Sequence, residues 1–136
     1  MKVHGQCHCG AIRYEAEVDP ARAQACHCTD CQRLSGSPYR VSVPAPRESF
    51  VLLSGNPRIY VKTADSGNKR AQAFCPECGS PVYSAAPTDP QAYMLRVGTI
   101  RQRKQLQPKA QQWCRSALDW AMDLSSVPRF DKQQTN

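Results

Sequence analysis

Three short clusters of cysteine constrain this chain more than any other feature of its sequence. Seven of its eight cysteines fall in the segments Cys7-His8-Cys9-Gly10, Cys26-His27-Cys28-Thr29-Asp30-Cys31 and Cys75-Pro76-Glu77-Cys78-Gly79, and the eighth is Cys114. A pair of cysteines separated by one residue is too close to form a comfortable disulfide, whereas a tight turn can aim two sulfurs at one metal ion. The clusters therefore predict metal sites that tie distant segments of the chain together.

The start of the chain favours the same interpretation. Residues 1–5 lead directly to polar residues and Cys7, without the apolar core or the cleavage pattern of a signal peptide. No stretch of the sequence approaches the ~18 apolar residues that cross a bilayer. We therefore expect a cytoplasmic protein with no membrane partner, in a compartment that keeps thiols reduced and favours metal binding over disulfides.

Length and turn content indicate the class of fold. The chain has 136 residues with 11 prolines and 7 glycines, and only 7% of its residues are aromatic. This length fits one domain, and the many turn-forming residues are typical of a mainly β fold of antiparallel strands with little helix. Because the chain has few aromatic side chains, we expect a thin apolar core and bound zinc that stabilises the fold. We predict a single zinc-binding domain over residues 1–130 and a frayed tail over residues 131–136.

Alternation of apolar and polar residues predicts several strands. In residues 11–18 one face of the chain is apolar, formed by Ile12, Tyr14, Ala16 and Val18. Similar short apolar patterns cover residues 39–43, 50–53, 59–61 and 93–97, with a turn at residues 54–57. Near the end of the chain, apolar residues at helical spacing predict one short helix before Pro128, namely Ala117, Trp120, Ala121 and Leu124.

Two of the cysteine clusters are expected to form one closed site. Cys75 and Cys78 are separated by two residues and followed by glycine, which is the pattern of a zinc knuckle. Tetrahedral Zn²⁺ takes four thiolates in a structural site, so a second pair is needed, and Cys7 and Cys9 are also followed by glycine. We predict a structural zinc on these four thiolates, which couples metal binding to folding.

The remaining cluster is expected to form a different kind of site. It holds Cys26, Cys28 and Cys31 within six residues, and no fourth cysteine lies nearby in the chain. Three protein ligands with one open coordination position are the arrangement of a catalytic zinc. The spacing also allows a mixed arrangement of the seven cysteines, or a site of three cysteines with one histidine, either His8 or His27.

Other uses of these residues are weaker interpretations. Disulfides need an oxidising compartment, and iron–sulfur clusters usually have runs of four cysteines with other spacings. The three histidines, His4, His8 and His27, are expected outside the coordination of the metals. Cys114, next to Trp113, is expected to be a small buried hydrophobic residue.

A series of motifs extends in fixed order from residue 5 to residue 130. The motifs are Gly5-x-Cys7-His8-Cys9-Gly10-Ala11, Cys26-x-Cys28-x-x-Cys31-x-Arg33, Phe50-x-Leu52-x-x-Gly55, Phe74-Cys75-Pro76-x-Cys78-Gly79-Ser80-Pro81-Val82-Tyr83, Gly98-Thr99 and Pro128-Arg129-Phe130. In this order they resemble the family of glutathione-dependent formaldehyde-activating enzymes and centromere protein V.

The resemblance implies a β-tent fold and a founding activity. That activity condenses formaldehyde with glutathione to S-hydroxymethylglutathione and is classed with the carbon–sulfur lyases. The resemblance also implies one zinc on the residues matching Cys7, Cys9, Cys75 and Cys78, and a second on Cys26, Cys28 and Cys31. In many relatives a histidine follows the basic loop in a P-x-x-H-I-aromatic segment, where this chain has Gln111 and Gln112.

The chemistry of three thiolates indicates what the open site does. Around Zn²⁺ they leave one net negative charge, which suits a further sulfur ligand better than activation of water. Coordination ionises an incoming thiol, and the thiolate can attack a small electrophile. We expect a zinc-dependent enzyme of the carbon–sulfur lyase type acting on a glutathione-like thiol adduct of formaldehyde or another small electrophile. Its catalytic residues would be Cys26, Cys28 and Cys31.

Other residues are candidates for proton transfer and substrate binding. Asp30, His27 and Tyr39 are candidate proton carriers for the hydroxyl that develops on the electrophile. Glutathione carries two carboxylates, which arginine or lysine can bind. We expect Arg33, just beyond the three cysteines, to bind substrate, and the other candidates are Arg40, Arg96, Arg101, Arg103 and Lys104.

The alternative function is a zinc-stabilised module that binds a protein or nucleic acid without catalysis. The formal net charge is +7, which seven thiolates and two Zn²⁺ ions would reduce to +4. Apart from a basic loop over residues 101–109, the cations are scattered, and no basic stretch is interleaved with aromatic residues. Nucleic acid is therefore not the expected partner.

Overall fold

The structure is a computed structural model that describes residues 1–134. This part of the chain contains ten strands and one short α-helix, α1 (Thr29–Ser35), joined by turns and short 3-10 segments. The strands are β1 (Lys2–Gln6), β2 (Arg13–Glu17), β3 (Gln24–Cys26), β4 (Arg40–Pro46), β5 (Val51–Ser54), β6 (Arg58–Thr63), β7 (Lys69–Phe74), β8 (Pro81–Ala85), β9 (Ala92–Arg96) and β10 (Ala110–Gln112).

The strands form two sheets. The smaller sheet has the order β1-β2-β5, and the larger has the order β10-β3-β4-β9-β8-β7-β6. Neighbouring strands are antiparallel except β10 and β3, which are parallel. The prediction of a mainly β fold of antiparallel strands with little helix is confirmed.

The core lies between the two sheets. Val43 and Leu95 are fully buried and form a cross-strand pair on one face of the larger sheet. They belong to the same apolar cluster as Val3, Tyr14 and Ala16 of the smaller sheet. Because side chains alternate between the two faces of a strand, the residues between these positions lie on the opposite face of the larger sheet. That second face carries polar side chains.

The predicted strands are all present, and the structure adds others. The alternation at residues 11–18 gives β2, with Ile12 and Val18 buried just beyond its ends. The patterns at 39–43, 50–53, 59–61 and 93–97 correspond to β4, β5, β6 and β9. The other five strands were not predicted from the sequence. In β7, Lys-Arg-Ala-Gln-Ala-Phe, alanine and glutamine give little strand signal, and pairing with β6 and β8 decides its conformation.

The predicted C-terminal helix is wrong. Residues 117–124 form isolated turns, and Trp120 and Leu124 are 55% and 58% exposed. An apolar stripe stabilises a short helix when it packs against another surface, and these side chains do not pack on a core. Cys114, expected to be buried, is exposed in a 3-10 segment of the same region.

The end of the chain lies on the surface. Of the predicted tail, residues 131–134 are exposed and lie outside the strands and helices, and residues 135 and 136 lie outside the described part. Across residues 1–134, none of the helices combines the length and the apolar character that spanning a membrane requires.

Candidate metal centres and the cationic pocket

Two turns bring four cysteines together at one end of the smaller sheet. The sulfur atoms of Cys7, Cys9, Cys75 and Cys78 all lie within 4.8 Å of one another. We call this group the tetrad. It joins the turn after β1 to the turn between β7 and β8, which are far apart in the sequence.

Each turn is shaped to aim its sulfurs inward. Gly10 and Gly79 close the turns with φ of 82° and 79°, in the left-handed region that glycine adopts without strain. The amide of Ile12 donates a hydrogen bond to Cys7 Sγ at 3.2 Å. The amide of His8 donates to Ser80 Oγ at 3.0 Å, which links the two turns directly.

The tetrad fits a zinc ion. A tetrahedral site with Zn–S bonds of about 2.3 Å has sulfur–sulfur edges of about 3.8 Å. In the structure Cys7 Sγ lies 3.6 Å from Cys9 Sγ, and Cys9 Sγ lies 3.8 Å from Cys75 Sγ. Four sulfur donors at this spacing are the ligand set of a closed structural site.

A second group of three cysteines lies where β3 passes into α1. The sulfurs of Cys26, Cys28 and Cys31 are within 4.8 Å of one another, and we call this group the triad. Cys26 ends β3, Cys28 is the N-cap of α1, and Cys31 lies in its first turn. The Cys28 sulfur accepts a hydrogen bond from the amide of Cys31 at 3.2 Å. The start of the helix therefore folds the three sulfurs toward one point.

The structure thus gathers the seven cysteines into the two groups that the spacing suggested. Within residues 1–134, neither His8 nor His27 joins either group of clustered metal ligands. Three thiolates suit zinc, and a site of three protein ligands leaves a coordination position for another donor. Burial raises the pKa of Cys26 to about 12, so a metal ion must displace a firmly held proton there.

The triad opens into a pocket of about 220 Å³ on the polar face of the larger sheet. All seven strands of that sheet contribute a residue to its walls. The pocket is lined by Gln24, Cys26, Cys28, Cys31, Arg40, Ser42, Lys62, Arg70, Gln72, Ser84, Met94, Arg96, Gln112 and Trp113. We call the face of the sheet beneath the triad the cationic floor, after Arg40, Lys62, Arg70 and Arg96.

The floor holds buried polar groups at unusual density. Five of the six buried polar side chains in the described part of the chain line this pocket, namely Arg40, Ser42, Gln72, Ser84 and Arg96. The guanidinium of Arg96 donates to Ser42 Oγ at 2.7 Å and to Gln72 Oε1 at 2.9 Å. Buried polar groups cost free energy unless they are paired, so a face like this one indicates a binding site.

The environment of the floor lowers the pKa of one of its cations, Arg96. Burial, and secondarily the nearby cation of Arg40, lower the pKa of Arg96 to about 9. In residues 1–134, the pocket walls contain neither aspartate nor glutamate. Lys62 at its edge forms an ion pair with Asp30 of α1, with 2.9 Å between the charged atoms.

The candidate proton carriers lie beside the triad but do not line its pocket. His27 is fully buried, and its Nε2 lies 2.9 Å from Oε1 of Gln111. The ring of Tyr39 packs against His27 with 5.1 Å between centroids. The carboxylate of Asp30 is held by Lys62. Gln111 thus supports the histidine between two triad cysteines.

The predicted substrate-binding residue lies elsewhere. Arg33 is exposed on α1 and is absent from the walls of the triad pocket. Arg40 and Arg96, also named from the sequence, lie in the floor, whereas Lys62 and Arg70 were not anticipated. Arg101 and Arg103 line a larger cavity of about 680 Å³ beside Cys7, and that cavity adjoins the closed tetrad rather than the triad.

Fold and sites together define a class of protein. The chain has two packed, mainly antiparallel sheets, a closed group of four cysteines between distant turns, and an open group of three at the mouth of a polar pocket. The sequence profile of a family described as "Glutathione-dependent formaldehyde-activating enzyme" matches residues 2–116. The chain belongs to this family.

Individual proteins also resemble the chain, among them one from Halomonas elongata and one from Rhodobacter sphaeroides. A Halomonas elongata protein, named as a candidate glutathione-dependent formaldehyde-activating enzyme, is 25% identical over 95 residues, which are 67% of this chain and 60% of that protein. The chain therefore matches less than two thirds of the length of this curated relative. A crystal structure of a Rhodobacter sphaeroides protein superposes with a TM-score of 0.61 and 23% identity, over 82% of this chain and all of the other. That likeness supports the fold.

Proposed function

We propose that the protein is a zinc-dependent enzyme of the carbon–sulfur lyase type. Its substrate would be the adduct of a glutathione-like thiol with formaldehyde or another small electrophile. The observation that carries the proposal is the triad, whose three sulfurs lie within 4.8 Å of one another at a pocket lined by cations. Membership in the family supports the choice of thiol and electrophile. Eight unpaired cysteines support a cytoplasmic location.

The triad and the cationic floor would have different roles in catalysis. Zinc held by three thiolates supplies a soft Lewis acid that accepts one more sulfur and lowers the pKa of that thiol. Cys26, Cys28 and Cys31 would hold the ion, and the floor would orient the rest of the thiol. The pocket has a volume of about 220 Å³, and its walls limit the number of water molecules around the reacting atoms.

The reaction is a reversible addition. The thiol sulfur attacks the carbonyl carbon, a carbon–sulfur bond forms, and the carbonyl oxygen becomes a hydroxyl that takes up the proton released by the thiol. In the lyase direction the same bond breaks, the hydroxyl returns its proton, and free thiol and aldehyde leave. Because none of the candidate proton carriers lines the pocket, we propose that the proton passes through water at the pocket mouth.

Exchange spectroscopy tests the proposal. Glutathione and formaldehyde reach equilibrium with their adduct without a catalyst, and magnetisation exchange in NMR measures the rate of interconversion. We expect the zinc-loaded protein to raise that rate and Cys28→Ser to remove the increase while the protein stays folded. Cys114→Ser is the matched control, because Cys114 is exposed and outside both cysteine groups.

Either of two results would count against this function. The first is an exchange rate in the Cys28→Ser protein equal to that of the wild type. The second is a wild-type protein with full zinc content that leaves the exchange rate at its uncatalysed value with several thiols and aldehydes.

One observation favours the alternative, a binding module without catalysis. Large apolar side chains are exposed on β5 and β6 and along the C-terminal segment, including Leu53 at 55%, Tyr60 at 55% and Trp120 at 55%. Exposed apolar side chains that form a contiguous surface are typical of protein interfaces. A protein that binds a partner through these residues and shows no thiol-dependent exchange would support the alternative.

A further inference from the structure

The cationic floor contains charges whose counter-charges are not visible in the described part of the chain. Arg40 and Arg96 are 9% and 7% exposed, and the Nε atom of each is buried without a hydrogen-bond partner. The ion pairs within residues 1–134 include Lys62 with Asp30 but neither of these arginines nor Arg70. Buried cations are stable in proteins when they are paired, so the floor points to an anion that arrives from outside.

The negative charge of a zinc-loaded triad is smaller than the positive charge of the cationic floor. Four cations line the pocket, and Asp30 neutralises one of them. Three thiolates with a divalent ion carry one net negative charge, which neutralises a second. Two positive charges remain, which is enough for one or two carboxylates.

The sheet places these charges next to the metal ligands. Arg40 stands directly opposite Cys26 in the pairing of β3 with β4, and Arg96 stands opposite Ser42 in the pairing of β4 with β9. Adjacent strands are about 4.8 Å apart, so guanidinium groups begin one and two strands away from the triad. A ligand that touches the triad through sulfur can reach Arg40 and Arg96 with a second group a few bonds away. Arg70 begins on β7, four strands from β3, and lines another wall of the same pocket.

We propose that Arg40, Arg70 and Arg96 form a carboxylate subsite that selects thiols bearing a negative charge. The inference rests on the proposed function only in that the thiol sulfur binds at the triad. In this proposal Arg40, Arg70 and Arg96 recognise the substrate, and they bind the carboxylate in place of Arg33. Lys62 contributes charge but is already paired with Asp30.

A simpler role for these cations would be to stabilise the thiolates of the triad. The contacts of Arg96 argue against this as the whole explanation, because its guanidinium donates to Ser42 and Gln72 rather than to sulfur. These neutral partners hold the side chain in place without consuming its charge. The Nε–H groups of Arg40 and Arg96 are buried without a hydrogen-bond partner, and no acidic side chain within residues 1–134 neutralises either guanidinium.

Binding of two matched thiols to the zinc-loaded protein tests the subsite. The probes are 3-mercaptopropionate and its methyl ester, which differ in the charge of the carboxyl group. Isothermal titration calorimetry should give at least a tenfold higher affinity for the acid, about the value of one charge-assisted hydrogen bond. Added salt should weaken binding of the acid and leave binding of the ester unchanged.

Substitutions in β7 test whether the preference for the acid depends on the pocket. Arg70 is only half-buried, so Arg70→Gln is the substitution that the fold tolerates best, and it should reduce the preference for the acid to threefold or less. Lys69→Gln is the matched control, because it removes one charge from the neighbouring residue of β7 without touching the pocket. This control should keep the preference and its salt dependence.

The possible results separate the subsite from the enzyme function. Equal affinity for acid and ester overturns the subsite, even if the protein catalyses adduct exchange, and leaves the arginines to the triad alone. A preference for the acid without catalysis supports the subsite and overturns the lyase activity. Absence of binding by both thiols overturns both proposals.

Discussion

The close contact between Gly5 and Tyr14 makes Gly5→Ala the most informative test of the fold. Gly5 lies in β1 directly opposite Tyr14 in β2. A methyl group built at Gly5 would lie well under 3.0 Å from three atoms of the Tyr14 side chain, Cζ, Cε1 and the hydroxyl oxygen. Real Cβ atoms do not approach other atoms so closely, so the ring must move.

The environment of the Tyr14 ring determines how much stability Gly5→Ala should cost. Tyr14 is 1% exposed, its hydroxyl lies 2.6 Å from Thr99 Oγ1, and Thr99 donates onward to the carbonyl of Arg96 at 2.8 Å. Overpacking of a buried site costs about 1–3 kcal/mol, and loss of the tyrosine hydrogen bond adds about 1 kcal/mol. We therefore expect Gly5→Ala to lower the free energy of unfolding by about 2–4 kcal/mol.

Urea denaturation of the zinc-loaded protein measures this change. Gly98→Ala is the matched control, because a methyl group there meets no atom within 4 Å and the backbone is outside the left-handed region. It should change stability by less than about 0.5 kcal/mol. In a Tyr14→Ala background the effect of Gly5→Ala should nearly vanish, since the ring is gone. An undiminished effect in that background would refute the explanation.

Three further predictions concern metal content, the closed site and pH. Elemental analysis should find two zinc ions per chain and one in Cys28→Ser, and a single zinc in the wild type would contradict the open site. Cys75→Ser should leave the protein unfolded by circular dichroism, because structural zinc contributes about 10–16 kcal/mol and a domain has about 5–15 kcal/mol in total. Burial raises the pKa of Tyr14 to about 12 from an ordinary 10, so the folded state favours the neutral phenol and stability falls as pH rises above 10. At pH 11 the wild type should have lost about 1 kcal/mol more than Tyr14→Phe, relative to pH 9, and equal losses in urea titrations would exclude this cause.

The sequence predicted the composition of the two candidate sites because metal ligands within one cluster are local. Cys26, Cys28 and Cys31 lie close together in any compact conformation of six residues. Pairing of the other two clusters was the arrangement favoured by the number of sulfurs that a tetrahedral ion needs, and the structure brings those four sulfurs together. The same reasoning could not find α1, because its N-cap is a cysteine and its seven residues are too few for a helical apolar pattern.

Local patterns gave wrong predictions where no partner surface covers the segment. The apolar spacing from Ala117 to Leu124 is that of an amphipathic helix, yet the segment lies outside the sheets and its large side chains Trp120 and Leu124 are exposed. The same absence of packing explains why Cys114 is exposed. Periodicity predicts a face, and tertiary contacts decide whether that face is buried.

The sequence alone indicated the class of fold, five of its strands, a preferred division of seven cysteines into a group of four and a group of three, and the resemblance that led to the family. The strands and the cysteine groups depend on spacing within short stretches, and the resemblance depends on the order of short motifs along residues 5–130. Only the tertiary structure decided that Arg40, Arg70 and Arg96 share one surface beside the triad. These residues are far apart in the chain, and the pairing of β3, β4, β9, β8 and β7 brings them together. Strand order depends on how the whole core packs, and no local pattern encodes it.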